Sequence, residues 1–235
     1  MSTHVPTGCE AIDELFGGGF ERGAVTQIYG PPASGKTNLA LSAAIEVAAS
    51  GRSSLYIDTE GLSADRMQQV AGARAERTDD SIEDLAGRII ISDALDYEQQ
   101  EQAVQDAADL AAELDLIVLD SATGFYRLER TAQEEGEALR DVARQITHLL
   151  SLARKHDLAV CFTNQVFSDP DGDRSRALGG HTLNHWSGAI VRLERFRGGN
   201  RRATLEKHRA QPAGESARFR VTDAGLEGVE DGPRQ

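Results

Sequence analysis

Lysine is almost missing from this chain. Among 235 residues only Lys36, Lys155 and Lys207 occur, and all other side chains counted as basic are arginine. Cysteine is equally sparse. Cys9 and Cys161 lie far apart, outside any CxxC pair, which argues against a disulfide framework and predicts two reduced thiols. No apolar run approaches a membrane span. The opening stretch MSTHVPTGCEAID has no basic region followed by apolar residues, so no signal peptide is expected. These absences predict a cytoplasmic protein. Repeats and low-complexity tracts are also lacking.

Acidic residues are present in excess. The net charge is −13, which by itself speaks against nucleic acid as a partner. The acids are spread along the chain rather than gathered in a tail. An even acidic coat with few lysines is similar to proteins of salt-loving organisms, so a halophilic protein is expected.

The length suits one α/β domain, expected over residues 1–225, with a frayed tail over 226–235. Strands are predicted at 24–29, 54–57, 88–92, 116–119 and 158–162. Between them lie helical stretches at 35–49 and 98–112. A third helix is marked by Leu139, Val142, Ala143, Ile146, Leu149, Leu150 and Ala153 at i, i+3, i+4, i+7 spacing. Alternating strands and helices imply βαβ units and a parallel sheet. After residue 165 the pattern changes to short strands at 189–194, 202–206 and 217–221. Gly198-Gly199-Asn200 reads as a hairpin turn between the first two. The fold class is therefore α/β, a mostly parallel central sheet with helices on both faces and an antiparallel C-terminal edge.

Gly30-Pro31-Pro32-Ala33-Ser34-Gly35-Lys36-Thr37 matches G-x-x-x-x-G-K-[ST] in full. Its glycines let backbone N–H groups turn in around a β-phosphate, and the following helix presents its N-terminal dipole to the same charge. Lys36 is expected to reach the β- and γ-phosphates and Thr37 to ligate Mg²⁺. The motif predicts ATP and Mg²⁺ as ligands. The apolar strand at 116–119 ends in Asp120-Ser121, the Walker B form, so Asp120 is expected on the metal side. Glu60, just past the strand at 54–57, is the expected general base. Gln165, closing the fifth strand, is placed to sense the γ-phosphate.

Together these elements resemble the RecA/RadA recombinase superfamily, specifically its archaeal and eukaryotic branch. The resemblance rests on Leu15-Phe16-Gly17-Gly18-Gly19, the P-loop, Tyr56-Ile57-Asp58-Thr59-Glu60-Gly61, Leu116 to Ser121, Thr163-Asn164-Gln165-Val166 and Leu178-Gly179-Gly180-His181. It spans roughly residues 5 to 222. The helical N-terminal DNA-binding domain of that branch and its filament linker are not expected here. The segment in the place of the first DNA loop, 122–131, lacks the family's Arg-rich, Gly-bearing pattern, and the second, 168–178, is short and half acidic. The chain is most similar to a core-only archaeal paralogue of the family. That likeness implies ATP and DNA binding, very weak ATPase and no strand exchange of its own. It also implies a supporting role to the main archaeal recombinase in homologous recombination and repair. Arg66 is implied to stack on adenine. Lys207-His208-Arg209 falls where relatives cap a neighbour's ATP, so Lys207 and Arg209 are candidates for contacts in trans if the chain self-associates.

Residues 192–209 hold seven basic against two acidic side chains, a net +5 in a protein of −13. Such a hairpin is a candidate phosphate-binding surface, with Arg197, Arg201 and Arg202 at its tip. Arg174 and Arg176 in one loop, and Arg127 beside Tyr126 and Phe125 in another, could touch a single strand. The preferred DNA is expected to be single-stranded or branched. His181 and His185 stand at i, i+4 without a further ligand, and no zinc site is expected there. Three readings stay open: a recombination accessory, a DNA-dependent ATPase or strand-exchange recombinase, and a RecA-fold regulator that does not act on DNA.

Overall fold

The computed structural model describes residues 3–125, 132–167 and 176–229. A short antiparallel pair, β1 (His4–Val5) and β2 (Phe20–Glu21), brackets helix α1 (Glu10–Phe16). The helix stops at Gly17, whose φ of 79° lets its N–H turn back to the carbonyls of Asp13 and Glu14.

Among the described residues the central sheet has nine strands. Its parallel part comprises β3 (Val25–Tyr29), β4 (Ser53–Asp58), β5 (Ile89–Asp93), β6 (Leu114–Asp120) and β7 (Ala159–Asn164). After a two-stranded ribbon of β8 (Val166–Phe167) and β9 (Arg176–Ala177), strand β10 (Ala189–Arg195) pairs parallel with β3. Then β11 (Asn200–Lys207), β12 (Ser216–Thr222) and β13 (Gly225–Gly228) add antiparallel strands. The spatial order is β13-β12-β11-β10-β3-β7-β6-β4-β5. Strands β3, β6 and β7 are buried along their whole length, and the middle of β6 (116–119) and the start of β7 (159–162) are correspondingly apolar.

Alternation along β6 divides the core. Leu116 and Val118 face α2 (Lys36–Ala49) together with Tyr56, Val191 and Phe219. Ile117 and Leu119 face the other way, toward α5 (Tyr97–Leu110) and α6 (Ala132–His156), which contribute Val104, Val142, Ile146 and Leu149. Helix α2 is apolar nearly all round, with Leu39, Ala40, Leu41, Ala43, Ala44, Ile45, Val47 and Ala48 buried. Three further helices, α3 (Ala64–Ala75), α4 (Ile82–Gly87) and α7 (Gly180–Trp186), complete the described fold. Among the described residues no helix is long and apolar enough to cross a membrane.

One sequence expectation is corrected, and two helices were not foreseen. The tail does not begin at 226, because Leu226, Glu227 and Gly228 pair with β12 in the edge strand. Residues 230–235 of the expected tail lie outside the described residues. Helices α3 and α4 were not legible as separate elements. Only Val70 and Ala71 of α3 and Leu85 of α4 are buried, so no apolar stripe marks either one. Their signals are the caps: Ser63 accepts from the Arg66 N–H, and Ser81 with Asp84 forms a capping box.

Candidate nucleotide and nucleic-acid site

The carboxyl ends of the parallel strands carry the candidate site. The P-loop follows β3 and runs into α2, whose N-cap Gly35 has a φ of 105°. Ala33 also stands in the left-handed region, at φ 60°, a strained geometry of the kind found at ligand clamps. The Lys36 ammonium turns back onto its own loop, donating to the carbonyls of Gly30 at 3.0 Å and Pro31 at 3.2 Å. Burial lowers its pKa, against the opposing charges of Glu60 and Asp120. The buried Ser34 hydroxyl has no partner among the described residues. A left-handed turn, a half-buried cation and an unpartnered hydroxyl at a helix N-terminus fit a phosphate chain.

Asp120 ends β6 with its carboxylate buried. Tyr56 donates to Oδ2 at 2.7 Å, and the Thr163 hydroxyl donates to Oδ1. The Thr37 hydroxyl also acts on this carboxylate, favouring its charged form. Burial pushes the Asp120 pKa up, and these three hydroxyls only partly offset it. The same burial, with the Asp120 charge, holds the Tyr56 phenol protonated and therefore a donor. A buried acid next to a P-loop threonine fits a Mg²⁺ ligand set with open positions for water and phosphate.

Glu60 sits on a turn built by Asp58. The Asp58 carboxylate accepts the backbone N–H groups of Glu60 at 3.1 Å, Gly61 at 3.0 Å and Leu62. Hydrogen bonds to a charged group stabilise by about 1.5–3 kcal/mol each, so this loop is held in one shape. Glu60 Oε1 then accepts from Ser121 Oγ at 2.7 Å and from Gln165 Nε2 at 3.2 Å. Thr59 locks the same junction, donating to the Ser121 carbonyl at 3.0 Å and accepting its N–H at 2.7 Å. Glu60, Asp120, Gln165 and Lys36 thus converge at one end of the sheet, as their positions after strands suggest. Sequence reasoning assigned no role to Tyr56, Asp58, Ser121 or Thr163. The aspartate of Asp-Thr-Glu-Gly is the signal for the turn, whereas nothing local marks Tyr56 or Thr163.

Arg66 lies against the first turn of α2. Its Nε donates to Asn38 Oδ1 at 2.8 Å, and one terminal nitrogen reaches Gln69 at 2.6 Å and the Asp223 carbonyl at 3.4 Å. It therefore bridges the P-loop helix to the β12–β13 turn.

Charges on the β10–β11 hairpin are unevenly free. Arg192 is close to Glu194 and Glu206, and Arg202 to Glu194 while lying 4.7 Å over the Phe196 ring. Arg195 and Arg201 stand directly opposite each other across the strands. Phe196, Asn200, Arg201, Arg202 and Arg218 line a cavity of about 220 Å³. Lys207 donates to the Asn184 carbonyl at 2.7 Å, and Arg209 lies 3.9 Å from Glu21. Arg127 and Arg174 fall outside the described residues, and Arg176 stands in β9.

A P-loop after the first parallel strand, with a buried acid and a further carboxylate after neighbouring strands of a sheet in this order, defines a RecA-like fold. The Rad51 family pattern matches residues 2–231, and the chain belongs to the Rad51 family. Its relatives place it in the RadB branch. It is 62% identical over 228 residues to the DNA repair and recombination protein RadB of Halobacterium salinarum, covering 96% of this chain and 95% of that one. It is 42% identical over 220 residues to the protein of the same name from Methanococcoides burtonii, covering 93% and 95%. A solved structure described as the crystal structure of the RadB recombinase is 36% identical, with a TM-score of 0.83. It covers 96% of this chain and 100% of that one.

Proposed function

We propose that this protein is an ATP- and DNA-binding accessory of DNA repair and homologous recombination, with very weak ATPase and no strand exchange of its own. In this reading it modulates the main archaeal recombinase. The observation that carries it is the hydrogen-bonded set of Glu60, Ser121 and Gln165 beside the P-loop, in a chain whose close relatives bear the name of a repair and recombination protein.

In this reading Lys36 exchanges the carbonyls of Gly30 and Pro31 for phosphate oxygens. Thr37 and Asp120 hold Mg²⁺, which when bound withdraws charge from the phosphate oxygens. Arg66 supports the base end through its contact with Asn38. Glu60 is the group that can accept a proton from water. Both of its donors among the described residues occupy Oε1, so in this reading Oε2 takes that task, and such a restricted base fits slow hydrolysis. Gln165 leads into β8, so whatever draws Gln165 off Glu60 is passed to the loop beyond it. DNA phosphates are assigned to Arg197, Arg201 and Arg202 at the hairpin, with Arg127, Arg174 and Arg176 as further candidates. Lys207 and Arg209 are available for contacts in trans only after leaving Asn184 and Glu21.

The test is ATP turnover with and without single-stranded DNA, read beside DNA binding. Slow turnover, little changed by bound DNA, is expected. Strong stimulation would instead indicate a DNA-dependent ATPase, and absence of DNA binding at working salt a regulator of another kind.

A further inference from the structure

Both glycines of the P-loop motif are bare on the side that faces the β10–β11 hairpin. A Cβ at Gly30 would run into the Leu193 carbonyl of β10. A Cβ at Gly35 would stand 3.2 Å from Cδ and Nε of Arg201 and 3.6 Å from the Phe219 ring. The hairpin is therefore seated directly on the outer wall of the phosphate loop, and its seat is Arg201. The tip of the same hairpin carries the exposed cations Arg195 and Arg197.

Arg201 has contacts in both directions. Its stem lies against Gly35, the N-cap of α2. Its Nη1 donates to the Gly199 carbonyl at 2.9 Å, while Nε is shielded from solvent and has no acceptor among the described residues. Gly198 and Gly199 have φ of 75° and 78°, a hinge-like pair with little resistance to backbone rotation. Burial and the facing Arg195 charge both disfavour the Arg201 cation, and like charges directly opposite on a sheet destabilise it. An anion at the tip relieves that repulsion.

We propose that Arg201 is a positioning residue linking the two sites, so that nucleotide at the P-loop and a nucleic-acid strand at the hairpin each alter the affinity for the other. A P-loop that tightens around phosphate moves Gly35. Arg201 follows, and through Gly199 the tip carrying Arg197 turns with it. A strand drawn to the tip acts on Gly35 in reverse. This route lies on the β10 side of the P-loop and does not pass through Glu60 and Gln165. The inference rests on the proposed binding of nucleotide and DNA, and it assigns their coupling to one side chain.

Linkage is reciprocal and is measured as one factor. Anisotropy of a fluorescein-labelled thymidine 30-mer is read with and without saturating Mg²⁺ and a non-hydrolysable ATP analogue. The experiment uses the full chain, in KCl at which thermal unfolding shows it folded. For the unaltered protein a factor of about 10 is expected, within the usual range for coupled sites. Arg202→Ala should weaken DNA binding with and without nucleotide alike and keep the factor. Arg201→Met, which keeps most of the stem and loses the guanidinium, should bring the factor close to 1. Should that variant fail to fold, Arg201→Lys takes its place, with a factor below about 3 expected. Retention of the full factor in a folded Arg201 variant overturns the proposal, as does a factor of 1 in the unaltered protein, which leaves the functional reading standing. If the unaltered protein binds neither probe, the functional reading fails, and the linkage with it.

Discussion

Gln165 donates to the Glu60 carboxylate across 3.2 Å, joining residues 105 positions apart in sequence. Ser121 donates to the same oxygen from the end of β6. Three loops after three strands are thereby held by one carboxylate. Glu60→Gln is expected to lower ATP turnover by about 10²–10⁴-fold, the usual contribution of a general base, while nucleotide affinity stays within a few-fold. Phosphate release and fluorescent-nucleotide binding check the two arms, and a variant hydrolysing at the normal rate removes Glu60 from this role.

Lys36→Ala tests the phosphate site itself. A ligand at 100 times its dissociation constant stabilises the folded state by about 2.7 kcal/mol. Mg²⁺-ATP should therefore raise the melting temperature of the unaltered protein and leave that of Lys36→Ala almost unmoved. An equal shift in both would place the nucleotide elsewhere.

Asp115 is a structural charge away from the site. It pairs with Arg22 and, at 3.2 Å, with Arg52, and both Asp115 and the Arg22 side chain are nearly buried. Burial pushes its pKa up, but the two guanidiniums outweigh that and hold it below the ordinary carboxylate value. Its stabilisation is thus present above the ordinary carboxylate range and is lost as pH falls through the depressed value. Asp115→Asn leaves Arg22 short of a counter-charge and should cost about 3 kcal/mol, visible as a melting temperature lowered by roughly 6–12 °C. Nucleotide binding to the folded variant should persist.

His208 acts in the same direction at a higher pH. Its Nδ1 accepts the N–H groups of Ala210 at 3.1 Å and Gln211 at 3.0 Å, and its ring tilts over Phe16. Burial lowers its pKa below 6.5, with Glu21 opposing and His4 and Arg209 adding to the shift. A depressed histidine contributes stability that is full above the unfolded value and lost as pH falls below it. Urea unfolding between pH 7.5 and 5.5 should show that loss, and His208→Asn should flatten it. An unchanged slope in the variant would assign the effect to other groups.

The acidic, lysine-poor composition predicts salt dependence. Far-ultraviolet circular dichroism should show folding in molar KCl and unfolding in dilute buffer. Full stability in dilute buffer would end the halophilic reading.

Much of this was legible in the sequence because it is local. The P-loop is contiguous, the strands at 116–119 and 158–162 are apolar throughout, and α6 keeps its period over many turns. What was not legible depends on register. Arg201 read as one more cation on a basic hairpin, since only the pairing of β10 with β3 brings it to Gly35. Tyr56 carried no role in the sequence, because only the pairing of β4 with β6 sets it beside Val118, within reach of the Asp120 carboxylate. The strand at 225–228 is too short and glycine-rich to announce itself, and it forms because β12 offers it an edge.

Helix α2, apolar on almost every side, is anchored like a post set in concrete. Its amides beyond the first turn should exchange with deuterium only when the whole domain opens, whether or not nucleotide is present. Bound nucleotide stabilises the folded state and should therefore slow those amides by the factor by which it suppresses global unfolding, with local protection added at the turn after Asp58, the Asp120–Ser121 corner and the rim at Gly198 and Gly199.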